Sequence, residues 1–235
     1  MSEILDSDFL QHLIDIHSIG CGEKSRLKWY LTAIIALGGM KYAELIPELY
    51  KIVLDKYIAD EDQMVETRKI REALTKVCGI WGAATTGTAI RQLLNATPEH
   101  LQESKCYRAG ETHEMATQRG QEMIDSIYPK IPGYDLSLNA KGSADYTWIV
   151  TTLFYGHVFS FMGILNKVET AQSIVAALLS TDCQEQARNH MMGMQFNGGT
   201  REEVQGVRAV VMAIAERLGV RGKQGRTAVE VPSID

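Results

Sequence analysis

The stretch DCQEQARNHMMGMQFNGGTREEVQ, residues 182–205, carries the pattern that decides the fold. Its first part has the residue spacing of an α-helix, and the pair Gly198–Gly199 then gives a stop signal. Thr200 and Glu203 follow as a capping box, in which each side chain binds a backbone N–H at the start of the next helix. The stretch therefore predicts two consecutive helices.

The same helical periodicity extends over most of the chain. Residues 25–39 are predicted to form an apolar helix that ends at a Gly-Gly pair, and residues 64–94 and 167–195 are predicted to form two further helical regions. No convincing segment shows the alternating pattern of a half-buried strand. The predicted fold class is therefore all-α.

An internal repeat supports this interpretation. The tripeptide VET occurs at 65–67 and again at 168–170, an offset of 103 residues (168 minus 65), and further identities follow at the same offset without gaps. His190 in the second copy aligns with Gly87 in the first. We therefore expect two copies of one helical unit, with the site in the second copy.

The repeat and the local composition together divide the chain into five parts. The segment from 103 to 145 is rich in Pro, Gly, Ser and Asp, which is typical of a loop. The expected parts are N-terminal helices at 1–54, a degenerate first unit at 55–102, a loop or lid at 103–145, the second unit at 146–219, and a flexible tail at 220–235.

Composition and charge exclude several classes of partner. The 235 residues carry a formal net charge of −5 without a Lys/Arg stripe, so we expect no nucleic-acid partner. Residues 146–165 form an uncharged stretch of bilayer length, but His157 and several Ser, Thr and Gly residues favour a buried helix over a membrane span. Scattered cysteines, Cys21 among them, and the lack of a signal-peptide pattern indicate reduced thiols and a cytoplasmic location.

The helix in residues 182–205 offers candidate chemistry. Cys183, Gln186 and His190 stand at positions i, i+3 and i+7, on one helix face. An antiparallel neighbour would bring Glu169 to the imidazole, and a histidine held by a carboxylate has a raised pKa that suits proton transfer near neutral pH. The alternatives are an ordinary hydrogen-bonded His190, a Glu169 that stabilises a first helical turn, and a Cys183 that packs as a small hydrophobe.

A second histidine lies in the stretch YGHVFSF, residues 155–161. His157 in this uncharged segment needs a hydrogen-bond partner or must stay neutral, which fits a pocket or the core equally well. Nearby aromatic residues would either wall a pocket or pack in the core. We predict catalytic roles for His190, Glu169 and His157, and substrate contacts for Tyr155, Gln186, Cys183, Trp148 and Trp81. We expect no metal and no cofactor, since the sequence has no metal-ligand spacing, phosphate loop or nucleotide motif.

The runs Y-G-H-V, K-V-E-T, Q-A-R-N-H and G-G-T-R-E-E-V, within residues 155–204, resemble the carboxymuconolactone decarboxylase family, all-α relatives of the alkylhydroperoxidase AhpD. The resemblance implies an AhpD-like helical bundle and a homo-oligomer. The peroxidase branch uses a C-x2-C-x3-H motif, whereas Gln186 stands here at the second cysteine position. The decarboxylase branch, which needs no cofactor, therefore fits better and implies that His190 transfers a proton and that Glu169 orients it.

The expected function is a cofactor-independent lyase or isomerase, decarboxylase-like, that acts on a small carbonyl or lactone intermediate of a biosynthetic pathway by acid–base chemistry at His190. The first alternative is a thiol-dependent, alkylhydroperoxidase-like enzyme that uses Cys183. The second is a non-catalytic binding or assembly protein that keeps the helical scaffold. A small molecule and further copies of the chain are the expected partners.

Overall fold

The computed structural model describes residues 3–19, 26–135, 137–225 and 227–234, and these ranges contain helices and no strand. The prediction of an all-α class is therefore confirmed. The longer helices are α1 (Ser7–Ser18), α2 (Trp29–Gly39), α3 (Ile46–Lys56), α4 (Gln63–Lys76), α5 (Cys78–Ala96), α6 (His113–Ile127), α7 (Ser137–Gly142), α8 (Ala144–Trp148), a π-helix (Ile149–Phe159), α9 (Lys167–Ser180), α10 (Gln184–Phe196) and α11 (Arg201–Arg217).

Helices α2 and α9 form the centre of the molecule. Every residue of α2 is buried, as are all residues of α9 from Val168 to Ser180, which is typical of helices enclosed on all sides. The two helices pack together, and α9 also packs against α10 and α11. Gly39 lies so close to Ser180 that a Cβ atom there would overlap the serine hydroxyl. The central helix pair therefore depends on a glycine at this position.

Side-chain caps fix where α9 and α11 begin. The Asn166 side chain accepts hydrogen bonds from the backbone N–H groups of Val168 and Glu169, and Glu169 accepts one from the Asn166 backbone. Thr200 and Glu203 make the equivalent capping box at α11, as the sequence predicts. The start of α11 is thereby confirmed.

The loop predicted at 103–145 is wrong, because this segment contains α6 and α7. Thr112 caps α6 by accepting a hydrogen bond from the Met115 backbone. The prediction gave too much weight to the Pro- and Gly-rich residues that follow α6 and too little to the helical run before them. Gly120 of α6 lies against Gly156 of the π-helix, where a Cβ atom would come within 2.6 Å of the Gly156 Cα. This close approach packs α6 directly on the π-helix.

A buried lysine holds the C-terminal end of the π-helix. Lys76 has no exposed side-chain surface, and its ammonium donates to the carbonyl oxygens of Val158 (3.2 Å), Phe159 (2.8 Å) and Phe161 (2.5 Å). Burial lowers the pKa of Lys76 to about 7, while the carboxylate of Glu72, 3.6 Å away, raises it. Cations stabilise helix C-termini because the free carbonyls there carry partial negative charge. Lys76 thus anchors the π-helix to α4.

The described part of the C-terminal tail packs on the rest of the chain and is not free, in contrast to the expectation for 220–235. Ala228 and Val231 are buried. The guanidinium of Arg208 donates to the carbonyl oxygens of Ala228 and Val229, each at 2.8 Å. The Gln195 amide donates to the carbonyl of Pro232 at 3.0 Å. These bonds to backbone carbonyls hold the tail on α10 and α11.

No helix within the described residues is long and apolar enough to cross a membrane. The uncharged stretch from 146 to 165 is divided between the end of α8, the π-helix and the segment that leads to α9. Cys21 lies outside the described residues, and the other three cysteines are free thiols.

Candidate functional site

A buried histidine lies against two tyrosine hydroxyls. His190 of α10 is 8% exposed, and its Nε2 lies 3.3 Å from the Tyr128 hydroxyl and 3.4 Å from the Tyr155 hydroxyl. The two hydroxyls are 2.5 Å apart and hydrogen-bond to each other. Each of the three groups can donate or accept a hydrogen bond. They form one connected polar network.

Three different elements bring these side chains together. Tyr128 begins the short turn Tyr128–Lys130 directly after α6, Tyr155 lies on the π-helix, and His190 lies on α10. The ring of Tyr134 stacks on that of Tyr128, with centroids 4.4 Å apart. The network therefore exists only when α6, the π-helix and α10 are packed together.

The groups of this network are neutral near pH 7. Burial lowers the pKa of His190 to about 4. Burial also raises the pKa of Tyr128 and of Tyr155, since the phenolate form loses its hydration in the interior. The pKa of His190 is thus shifted downward, opposite to the rise expected from a carboxylate partner.

His190 also lines a cavity of about 80 Å³ between α6, α9 and α10. This volume exceeds the space that one water molecule needs and is smaller than a cavity that holds benzene. Half of the lining residues are apolar, among them three flexible methionines, and apolar atoms form most of the lining surface. The apolar lining residues are Met123, Ile127, Met162, Ala171, Ile174, Gly193 and Met194; the polar ones are Arg119, Glu122, Ser126, Ser160, Lys167, His190 and Asn197.

Glu169, the carboxylate predicted to orient His190, does not contact it. The carboxylate of Glu169 accepts a hydrogen bond from the Lys69 ammonium at 2.7 Å and from the Asn166 backbone N–H at 2.9 Å. The residue caps its own helix, so its oxygens point to the N-terminal end of α9 and to α4. Tyr128 and Tyr155 take the place beside the imidazole that the sequence assigned to Glu169.

His157 pairs with another histidine, away from His190. Its Nε2 lies 3.0 Å from the Nδ1 of His113, and the two rings stack with centroids 5.2 Å apart. Tyr155, two residues earlier, reaches His190 instead. Of the three residues predicted as catalytic, the structure places only His190 at the cavity.

The remaining predicted contacts are also dispersed. Cys183 precedes the first residue of α10 and is exposed, as is Gln186, so neither shares the buried face of His190. Trp148 is 54% exposed at the end of α8, and Tyr146 on the same helix is also exposed. Trp81 is buried against Gly38 of α2. Tyr155 alone among the predicted substrate contacts meets His190.

Tyr128 is the residue of the network that the sequence did not indicate. It lies in YPKIPGY, residues 128–134, which the Pro and Gly content assigned to a loop. One available signal was that a buried imidazole needs a polar partner. The tyrosines in this stretch were candidates for that partner once a helix was recognised before them.

Comparison with known proteins gives two relatives. A protein of Schizosaccharomyces pombe named Peroxisomal protein 2 is 28% identical over 155 residues, which is 66% of this chain and 72% of the relative. A protein of Saccharomyces cerevisiae with the same name is 33% identical over 109 residues, 46% of this chain and 38% of the relative. No protein-family model matches the chain, and no solved structure matches it.

These relatives correct the identification with the carboxymuconolactone decarboxylase family, which is wrong: both relatives are named as peroxisomal proteins. Several of the residues that carried the resemblance are explained by local structure, because Glu169, Thr200 and Glu203 belong to helix capping boxes. Such caps recur in unrelated helical proteins.

Two expectations that depended on the resemblance or on composition are wrong as well. A decarboxylase-like lyase or isomerase of a biosynthetic pathway has no support in relatives named only as peroxisomal proteins. The same names contradict the cytoplasmic location.

The low pKa of His190 predicts a stability that falls as the medium becomes acidic. An unfolded histidine binds a proton below about pH 6.5, whereas buried His190 does so only below about pH 4. Between these values the unfolded state binds more protons, so lowering the pH costs on the order of 2–3 kcal/mol of unfolding free energy through this residue. Urea denaturation at several pH values from 7 to 4.5 measures the loss.

The control for this prediction is His190→Phe. This variant removes the titrating group, so its unfolding free energy should decline less steeply with pH than that of the wild type. His17, whose pKa burial also lowers to about 4, remains in both proteins. Glu103 and Glu203, whose pKa values are lowered by hydrogen bonds from Arg68 and Arg26, remain as well, and together these groups supply a residual slope. Equal slopes in the two proteins would show that His190 is not held neutral.

Proposed function

We propose that this chain is a peroxisomal protein that binds a small organic molecule in the cavity beside His190 and does not transform it. The names of both relatives support the peroxisomal location. The observation that carries the binding role is the cavity itself, which is apolar along most of its wall and touches one buried polar network. Ligand pockets commonly have this composition, in which apolar contacts give affinity and a few polar groups give orientation.

The electrostatics of the network favour binding over acid–base catalysis. A general base works best when its pKa lies near the pH of its surroundings. Burial holds the pKa of His190 at about 4, and both neighbouring tyrosines are stabilised in their neutral form. Neutral His190 is therefore a better hydrogen-bond partner than a proton carrier. The enzymatic turnover expected from the sequence stays a prediction that no observation supports.

A thiol-dependent reaction has less support still. A disulfide cycle needs a second thiol that can reach the first. Cys183 is exposed, its sulfur contacts Thr181, and the three cysteines within the described ranges are all free. The polar network beside the cavity contains no cysteine.

The binding role is tested by filling the cavity. Ala171 lines it, and Ala171→Leu adds bulk there while His190 and the two tyrosines keep their own side chains. We expect at least one compound from a panel of short acids, amides and alcohols to raise the melting temperature of the wild type by a few degrees, because a ligand of the native state stabilises it. The same compound should not raise the melting temperature of Ala171→Leu.

The matched control is Ala84→Leu, which adds the same side chain at an exposed position of α5. It should respond to the ligand as the wild type does. A panel in which no compound stabilises the wild type, or in which the two leucine variants respond equally, would contradict binding in this cavity.

The location is tested with the full chain joined to a fluorescent protein at its N-terminus, which leaves the C-terminal residues unmodified. We expect the fusion to coincide with a peroxisomal marker in cells, while the fluorescent protein alone stays diffuse. Diffuse fluorescence of the fusion would contradict a peroxisomal protein.

We infer, in addition, that the chain contains two related helical units. Glu66 and Glu169 occupy the same position in the two VET tripeptides. The ammonium of Lys69 contacts both carboxylates, at 3.3 Å and 2.7 Å, so the two tripeptides lie side by side where α4 packs on α9. This contact supports a repeat. The predicted homo-oligomer stays a prediction.

A further inference from the structure

One cation at the cavity has no partner within the described part of the chain. Lys167, the first residue of α9, lines the cavity and is exposed. Its ammonium makes no hydrogen bond or ion pair with any residue that the structure describes. Because the side chain is both exposed and part of the lining, it stands at the mouth of the cavity. A free ammonium there is available to a ligand.

The other cation of the lining is already occupied. Arg119 donates to the Ser160 hydroxyl at 3.1 Å and to the Gly156 carbonyl at 3.1 Å, and it pairs with the carboxylate of Glu111. Its donors and its charge are therefore used within the protein. Lys167 is the cation left to bind an anionic group from outside.

The interior of the cavity favours an uncharged group. Its wall is largely aliphatic and thioether, and buried His190 is itself neutral near pH 7. An ionised carboxylate in such surroundings would lose its hydration without a compensating charge. A ligand that carries a negative charge must therefore keep that charge at the mouth and place its apolar part inside.

One acidic side chain limits how much charge the ligand can carry. Glu122 lines the same cavity, is exposed, and accepts a hydrogen bond from the Gln118 amide at 3.2 Å. A second carboxylate on the ligand would meet this negative charge, since Lys167 can neutralise only one. The mouth thus discriminates against dianions.

From these features we infer that the ligand is a small monocarboxylic acid. Its carboxylate binds the Lys167 ammonium at the mouth, and its apolar stem, about two to four carbons in a cavity of this size, lies between the methionines and points to His190. This ligand class rests on the proposed binding function, because it names the occupant of the same cavity.

Butyrate, its neutral amide butyramide, and the dianion succinate are suitable probes. Calorimetric titration of the full chain should give saturable binding of butyrate and weaker binding of succinate. Lys167→Met should lower the affinity for butyrate about three- to tenfold, the range of a charge-assisted bond near the surface. It should leave the affinity for butyramide within about twofold of the wild-type value. Lys130→Met is the matched control, since Lys130 is exposed near the site but does not line the cavity.

The outcomes separate the ligand class from the binding function. The inference is supported if Lys167→Met lowers the affinity for butyrate and Lys130→Met leaves it unchanged. Butyramide or succinate binding as tightly as butyrate, or an equal effect of the two lysine variants, overturns the monocarboxylate while leaving the cavity a binding site. A different result is that none of the three probes binds the wild type, while another compound raises the melting temperature of the wild type and not that of Ala171→Leu. In that case the inference fails and the proposed function stands. Failure of every compound overturns both.

Discussion

Cationic side chains at the C-terminal end of the π-helix hold the arrangement on which the site depends. Lys76 binds three carbonyls of this end, Arg108 donates to the His157 carbonyl at 3.0 Å, and Arg119 donates to that of Gly156. Without them, the carbonyls bound by Lys76 and Arg108 would lose these donors, at a cost of about 1–3 kcal/mol for each one left buried and unpaired, whereas the Gly156 carbonyl also accepts from the Ser160 hydroxyl. The π-helix in turn carries Tyr155. The position of Tyr155 is thus fixed by α4, by α6 and by the segment between them that carries Arg108.

The chemistry of the cavity follows from how completely its polar network is buried. His190 and two tyrosines satisfy one another, so the interior needs no charge, and burial favours the neutral form of each group. Of the two cations in its lining, Lys167 has no partner among the described residues and Arg119 has several. This arrangement is the basis of the proposed binding role and of the proposed preference for a monoanion.

Short-range patterns in the sequence predicted the features that neighbouring residues determine, namely the helical class and the ends of helices. Helical periodicity gave the all-α class, the Gly-Gly pair gave the end of α2 at Gly39, and the capping box gave the start of α11. The long-range contacts were beyond these signals. Nothing in the spacing of Lys76 indicates that it reaches carbonyls more than 80 residues away. Helical spacing points to Glu169 on the preceding helix as the partner of His190, whereas Tyr128 lies 62 residues before it. Such pairings are set by tertiary packing, which single-sequence patterns do not encode.

The central claim is that His190 is a buried, neutral imidazole that faces the cavity proposed to bind a ligand. Nuclear magnetic resonance of the protein with ¹⁵N-labelled histidines measures this directly, with His190→Phe used to assign the signal. The account predicts that the His190 nitrogens keep the shifts of a neutral ring from pH 7 to about pH 5 and move when butyrate is added. A ring that titrates near pH 6.5 and does not respond to any compound of the panel would contradict it.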